Sequence, residues 1–289
     1  MAIKKYIPVI LGLFIIIGVT AVLVIHELNK QVLRSDGERK SQTYNNSSQI
    51  PKKIFVTSRF QSIEDLPQST RETLEEITLK NPGWSIQHFS NQEIEQLLED
   101  EEVFDKKVLQ AFHKVVPGAF KADLFRYCIL FASGGLYIDI NTRVHVTLDS
   151  LIDVARDKLC IVEDRRTAGC KFRPGVQIGF LAARKGNDTI KKILDKAVDN
   201  ILEEKYGKCA LEITGPVVAG HVVKRECKKN YTCLMYMRFW SENNVYSSVT
   251  GKKVLSRHCN GHHKNVYTSN KYRYKNMYMK RKVFGEKQV

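Results

Sequence analysis

The chain has 289 residues, 43% of them hydrophobic and 27% charged, a balance that excludes general disorder and supplies one good core with at most a small appendage. The formal net charge of +15 is uneven: residues 221–289 carry sixteen Lys/Arg against three Asp/Glu, a difference of thirteen. Such a tail suits anionic lipid or a phosphorylated ligand, or is a solvated basic face; with no nucleic-acid motif beside it, no nucleic-acid partner is expected.

In chain order, residues 1–6 read as a short cytoplasmic tail. Residues 7–25, IPVILGLFIIIGVTAVLVI, carry no charge, and as a helix they would reach about 28 Å, the thickness of a bilayer's hydrocarbon core. A cleavable signal would have a shorter apolar run and a small-residue cleavage site, which is not visible; a transmembrane signal anchor is therefore expected. Lys4 and Lys5 precede the span while Lys30, Arg34, Arg39 and Lys40 follow it, so charge does not choose the orientation. Because the globular part follows the anchor, a single-pass type II membrane protein with its domain in the Golgi or another secretory-pathway lumen is expected.

Residues 26–50 include SDGERKSQTYNNSSQ, too polar to fold alone, and read as a stem. Sequons at Asn45, Asn46, Asn187 and Asn230 fit a lumenal setting. The seven cysteines include Cys209, Cys227, Cys233 and Cys259. They are either disulfides of an oxidising compartment or buried thiols, and an odd total leaves at least one unpaired within the chain.

Residues 51–289 form the globular part. KKIFVT (52–57) reads as a buried strand, RETLEEITLKNPGW as a helix stopped by Pro82-Gly83, and SIQHF as a second strand; Ser90 and Glu93 then make a capping box opening NQEIEQLLED. This alternation predicts an α/β layered domain with a mainly parallel sheet. LCIVE (159–163) and VQIGFLAA (176–183) add strands. Between them and the tail, a helix is expected with Ile190, Ile193, Leu194, Ala197, Val198, Ile201 and Leu202 on one stripe, Asn187 as cap and Gly207 as stop. GPVVAG has the glycine spacing of a P-loop, but His221-Val222 replace the required Lys-Ser/Thr, which disfavours a nucleotide triphosphatase.

KADLFRYCILFASGGLYIDINTRV (121–144) carries the chemistry. A helix here would show Phe120, Leu124, Phe125, Cys128, Ile129 and Phe131 over most of its circumference, with Asp123, Arg126, Tyr127 and Leu130 on the remaining strip. An Asp–Arg pair in such surroundings costs several kcal/mol in desolvation; it is either an internal brace or the wall of a polar pocket. Ser133-Gly134-Gly135 ends the helix and LYIDI makes a short strand. Asp139 and Asn141 lie two apart at its exit, so both can point the same way beyond its carboxyl end while Ile138 and Ile140 face the core, and ligands bind there in open α/β sheets. Two oxygen donors there suit a hard cation such as Mn²⁺ or Mg²⁺.

The series ADLFRY (122–127), GGLYIDIN (134–141) and LEITGPVVAG (211–220), with IPKKIFVT (50–57) and NPGW (81–84) more loosely, resembles the family 32 glycosyltransferases, which have a DXD-type sugar-binding region and include the fungal initiating α-1,6-mannosyltransferases. The glucosyltransferase domains of large clostridial toxins share the central pattern. The resemblance covers about residues 50–220. YKNMYMKRKVF near the end is similar to the family's closing segment, with Met277 or Tyr278 where a Trp is often found.

The resemblance implies a GT-A fold, a Rossmann-like mixed sheet flanked by helices, and a metal-dependent, retaining glycosyltransferase. Such an enzyme moves a hexose such as mannose from a nucleotide sugar (GDP-mannose or a UDP-hexose) to a glycan or glycoprotein acceptor. By the same resemblance Asp123 would hold donor-sugar hydroxyls, Arg126 would face the sugar or diphosphate, and Asp139 would reach ribose and metal, these three forming the catalytic set. Phe55, Val56 and Thr57 would border the nucleotide base, and Gly134, Gly135, Tyr137, Thr214, Gly215 and Pro216 would complete the donor site. Asn141 stands at the direct metal-ligand position, where an amide brings no charge; His258 or His262, or else His263, would compensate. The missing second acid keeps open a catalytically silent relative that binds nucleotide sugar or glycan as an assembly subunit, and the basic tail keeps open an anionic-polymer binder.

Overall fold

Ile54, Phe55 and Val56 are three consecutive buried residues of strand β1 (Lys53–Thr57), the pattern of a strand covered on both faces. The computed structural model describes residues 49–164, 175–227, 233–241, 244–247, 250–257 and 274–285. The expected anchor at 7–25, nearly all of the stem, the sequons at Asn45, Asn46 and Asn230, and His258, His262 and His263 lie outside the described residues. Among the described residues, no helix is long and apolar enough to cross a membrane. Ile50, the last residue assigned to the stem, is buried and its N–H donates to Val154 O at 2.9 Å.

After β1 the chain forms α1 (Gln68–Lys80), which buries Thr70, Thr73, Leu74 and Ile77, and ends ahead of Pro82-Gly83 as expected. Asn81 Nδ2 then donates to Ile77 O, its Oδ1 accepts from Leu148 N at 2.7 Å, and Trp84 Nε1 donates to Asp149 Oδ1. NPGW is thus a corner that ties the helix end to residues 148–149. Strand β2 (Ser85–Phe89) pairs in parallel with β1, and the Ser90/Glu93 capping box opens α2 (Asn91–Leu98). Helix α3 (Lys106–Lys114), capped by Asp105, was not anticipated.

Helix α4 (Gly118–Ser133) is buried around nearly its whole circumference. It stops at Gly134 (φ 66°) and Gly135 (φ 114°), both in the left-handed region that disfavours side chains. A Cβ on Gly134 would lie 2.5 Å from Lys185 N, and one on Gly135 2.8 Å from Lys53 O. The two glycines let β3 (Gly135–Ile138) enter the sheet directly beside β1.

The remaining elements are β4 (Thr142–Val144), β5 (Leu159–Glu163), β6 (Val176–Ala183), α5 (Asp188–Leu202), α6 (Pro216–Cys227), β7 (Cys233–Ser241), β8 (Asn244–Ser247), β9 (Lys253–Arg257) and α7 (Tyr274–Met279). The sheet order is β2-β1-β3-β6-β5-β7-β8-β9-β4. β1 is parallel to β2 and β3, and β5 to β7, but the other five pairings are antiparallel. The mainly parallel sheet expected from the first elements is therefore a mixed one. The antiparallel pairings of β6 with both β3 and β5 account for this, and Asp164 N extends the second by donating to Gly175 O at 3.0 Å.

One hydrophobic cluster joins α3, α4, α5 and α6 to the sheet, and a second packs α1 with β4 and β9 against the other face. Asn187 caps α5, accepting from Thr189 N and Ile190 N while Nδ2 donates to Lys158 O at 2.9 Å. Buried in this role, the sequon asparagine has no place for a glycan in the folded chain. Helix α5 ends at Leu202 rather than running to Gly207, because Glu204 adopts φ 54° and turns the chain first. Asn187→Ala is expected to lower stability by about 1–2 kcal/mol, measurable as a shifted denaturant midpoint.

Candidate functional site

The charged strip of α4 gathers one cluster. Arg126 Nη2 lies 3.0 Å from Asp123 Oδ1 and Nη1 3.2 Å from Asp139 Oδ1, with side-chain exposures of 5% for Arg126, 11% for Asp123 and 23% for Asp139. Nη1 also donates to Ile178 O at 2.8 Å, Nε to Ala122 O at 3.1 Å, and the guanidinium stacks 4.4 Å above the Tyr137 ring. Tyr137 Oη in turn donates to Asp139 Oδ1 at 3.3 Å. A planar fork with five donors can hold two carboxylates and two carbonyls at once, which an ammonium cannot.

Thr214 closes the other side. Its Oγ1 donates to Asp123 Oδ2 at 2.7 Å, and its carbonyl accepts from Tyr127 Oη at 2.9 Å. Gly215 follows, its Cβ position 3.6 Å from Asp123 Oδ2, and Pro216 begins α6. Asn200 of α5 fixes this approach by donating from Nδ2 to Glu212 O and Ile213 O, both at 3.0 Å.

Burial pushes the Asp123 carboxyl up to about 6, with Arg126 and the Thr214 hydroxyl holding it down and Asp139 adding to the rise. Burial works against the Arg126 charge, but Tyr137, Asp139 and Asp123 outweigh it and hold the guanidinium above its ordinary range. Burial raises the phenols of Tyr127 and Tyr137, so both are neutral donors at physiological pH.

Asp139 lies just past the end of β3, as expected. Asn141 does not extend the strand: Thr142 N donates to Asp139 O at 2.8 Å, closing a turn over Asp139–Thr142 that leaves Asn141 exposed. The pleat therefore does not align Asp139 with Asn141. Phe55 and Val56, expected beside a nucleotide base, have their side chains in the core, Phe55 against Phe89 and Val56 on the opposite face. Only Thr57 of that trio reaches the strand end, its Oγ1 donating to Phe89 O at 2.8 Å. Gly134 and Gly135 shape the turn into β3.

Three contributors were not read from the sequence: Gln177, the Ile178 carbonyl and Gly179. Strand β6 pairs Gln177 with Val162 and Ala182 with Cys160, so residues 178–181 stand against Ile161 alone. This bulge frees Ile178 O for Arg126, and Gln177 Oε1 accepts from Gly179 N. A Cβ on Gly179 would lie 2.4 Å from Asp139 Oδ2 and 2.8 Å from its Cγ. A glycine inside an apolar strand signals a bulge or close approach, and here it marks both. Gly179→Ala is expected to displace Asp139 and cost about 1–3 kcal/mol, as overpacking does; a chemical melt and a donor-binding titration would both register it.

Among the described residues, no three His, Cys, Asp or Glu gather to hold a metal. Among the described residues, the donors that β3 and the turn after it bring to the mouth are the Asp139 carboxylate, already engaged by Arg126, and the exposed Asn141 amide. Mg²⁺ and related cations often keep several waters and take one or two protein oxygens together with substrate phosphates. The set fits a cation that shares a bound diphosphate rather than one held by a protein cage.

Comparison with known proteins covers part of the chain. Among solved structures, the chain is similar to PaToxG Glycosyltransferase (18% identity, 63% of this chain and 71% of that one, TM-score 0.48). It is also similar to the UDP-bound glycosyltransferase domain from the YGT toxin (12%, 60% and 56%, TM-score 0.34) and to a glycosyltransferase involved in the glycosylation of the major capsid of PBCV-1 (14%, 65% and 81%, TM-score 0.35). The chain spans just over half of the YGT toxin domain. No curated protein sequence matches it. Residues 67–157 match the family described as glycosyltransferase sugar-binding region containing DXD motif; the segment that supplies Asp123, Arg126, Asp139 and Asn141 is thus a glycosyltransferase-like sugar-binding region.

Proposed function

We propose that this domain is a retaining glycosyltransferase that binds a nucleotide-sugar donor, GDP-mannose or a UDP-hexose, at the carboxyl ends of β1 and β3. It moves the hexose to a glycan or glycoprotein acceptor. The observation that carries this reading is Arg126, held between Asp123 and Asp139 at the mouth of the sheet inside the matched segment. In this reading Asp123 accepts hydrogen bonds from donor-sugar hydroxyls while Thr214 fixes its second oxygen. Arg126 stabilises charge that develops on the departing diphosphate, a task needing a fixed cation and no proton transfer. Tyr137 and the β6 bulge hold Arg126 and Asp139 in place.

Asp139 and Asn141 would hold Mn²⁺ or Mg²⁺, which when bound adds Lewis-acid stabilisation of the leaving group. Retention and the hexose donor follow from the family 32 resemblance and belong to the proposal, as do the type II anchor and the secretory-pathway lumen. The disulfide bond at Cys209 supports an oxidising compartment.

A second reading rests on the exposed amide of Asn141: a silent relative that binds donor or glycan without turnover. The full chain in detergent, assayed with Mn²⁺ against GDP-mannose, UDP-glucose, UDP-galactose and UDP-N-acetylglucosamine, separates the two. Release of nucleoside diphosphate from one donor, abolished by chelation, is expected. Binding without hydrolysis, together with turnover gained in Asn141→Asp, would establish the silent reading instead.

A further inference from the structure

Away from the Asp123–Arg126–Asp139 cluster, Lys196 and Asn200 of α5, Lys205 and Tyr206 beyond it, and His221 and Arg225 of α6 line a groove of about 430 Å³, within the size range of small-molecule sites. Its cations come from three separate segments. Arg281 adds a fourth beside it, standing 4.3 Å over the Tyr206 ring. Glu212 is the carboxylate on the wall, and it is drawn into the turn at Gly207 (φ 63°), where its Oε2 accepts from Lys208 N at 2.7 Å. Lys205 also pairs with the exposed Glu203. Among the described residues, with Lys205 drawn to Glu203, the lining cations Lys196 and Arg225 face Glu212, a carboxylate that is itself engaged.

The floor is specific as well as charged. Asn200 is buried there and holds the carbonyls of Glu212 and Ile213, one residue before the Thr214 hydroxyl that binds Asp123. His221 senses the local field: burial lowers its pKa, and Arg225, Lys224 and Lys196 push the same way against Glu212.

We propose that this groove between α5 and α6 is a second binding site, taking an oxyanion carried on a sugar-sized molecule. Lysine and arginine supply charge-assisted hydrogen bonds to the oxyanion, while Asn200 places the site one residue from the Asp123 clasp. The ligand class is a phosphate ester or a comparable acidic sugar derivative.

The test uses the full chain in detergent with ¹³C-labelled histidine rings at pH 7.5, the His221 resonance being assigned by its loss in His221→Gln. Glucose 6-phosphate is expected to move that resonance saturably and to raise the pKa of His221, whereas glucose does neither. The double variant Lys196→Ala/Arg225→Ala should weaken the response at least about tenfold, since each lost charged hydrogen bond is worth about that much. Lys196→Arg/Arg225→Lys, which keeps the charges, should retain it, and the other histidine resonances report whether either variant folds. An equal response to inorganic phosphate assigns the groove to the oxyanion alone; a tighter response to the ester assigns it to the sugar phosphate. No saturable movement with either compound, or a response undiminished in the double alanine variant that still folds, overturns the proposal.

Discussion

Arg126→Met is expected to destabilise the domain by about 3–5 kcal/mol at pH 7.5, the usual cost of removing one partner from a buried ion pair. The side chain contacts Asp123, Asp139, the carbonyls of Ile178 and Ala122, and the Tyr137 ring. Its loss leaves two carboxylates in a poorly solvated space with no countercharge. The deficit should shrink on acidification toward pH 5, because protonating Asp123 removes one of the stranded charges. Arg126→Lys should recover little, since an ammonium cannot reach both carboxylates and the carbonyls in one plane. Urea melts of the three proteins at pH 5 and pH 7.5 check this. A variant as stable as the parent at pH 7.5 would show that the cluster is well solvated and the pairing idle.

Asp123→Asn separates binding from bracing. The amide oxygen still accepts from the Thr214 hydroxyl and Arg126 keeps Asp139, so at pH 7.5 the variant should lose far less stability than Arg126→Met. Donor turnover should fall about 10²–10³-fold, the loss typical when a group aimed at the reacting centre is removed. The pH profile supplies a further signature. Asp123 titrates at about 6 in the folded chain against an ordinary 3.8. Between those values the folded state keeps a proton that the unfolded state has released. Its contribution to stability is therefore largest below about pH 4, declines as pH rises to about 6 and is level above, a total of about 3 kcal/mol. Asp123→Asn should flatten that descending limb. If the limb persists unchanged, another group causes it; if turnover survives, Asp123 is a brace and not a sugar ligand.

The site was legible in part, and for identifiable reasons. Asp123 and Arg126 stand out because charges on a helix that is apolar all round need an explanation, and the helix places them three apart, where they pair. Asp139 was placed by the glycine pair that starts β3. The Asp139–Thr142 turn was not foreseen, because a three-residue alternation reads the same whether the backbone stays extended or bends, and so Asn141 was aligned with Asp139. Phe55 and Val56 were read as ligand-facing, although a run of apolar residues in β1 is equally the mark of a strand buried on both faces. The bulge in β6 depends on which strands flank it, and one sequence does not state its neighbours. Strand direction is likewise a property of the pairing: the strand and helix alternation of the first elements reads as mainly parallel, and only the family resemblance implies the mixed sheet that β6 makes with β3 and β5. Ser90 and Asn187 were read correctly as caps because capping is local chemistry, with donor and acceptor within three residues.

Strand β4 begins at Thr142, the residue that closes the turn holding Asp139, and pairs with β9 (Lys253–Arg257). One anchor of the loop that follows Asp139 is thus supplied by backbone synthesised more than a hundred residues later. A premature stop after the codon for residue 232 would spare Asp123, Arg126, Asp139 and Thr214, yet leave residues 142–144 without their β9 partner. Ribosome-attached chains of that length should accordingly be open to protease at residues 139–146, and become protected only once the β9 segment has emerged.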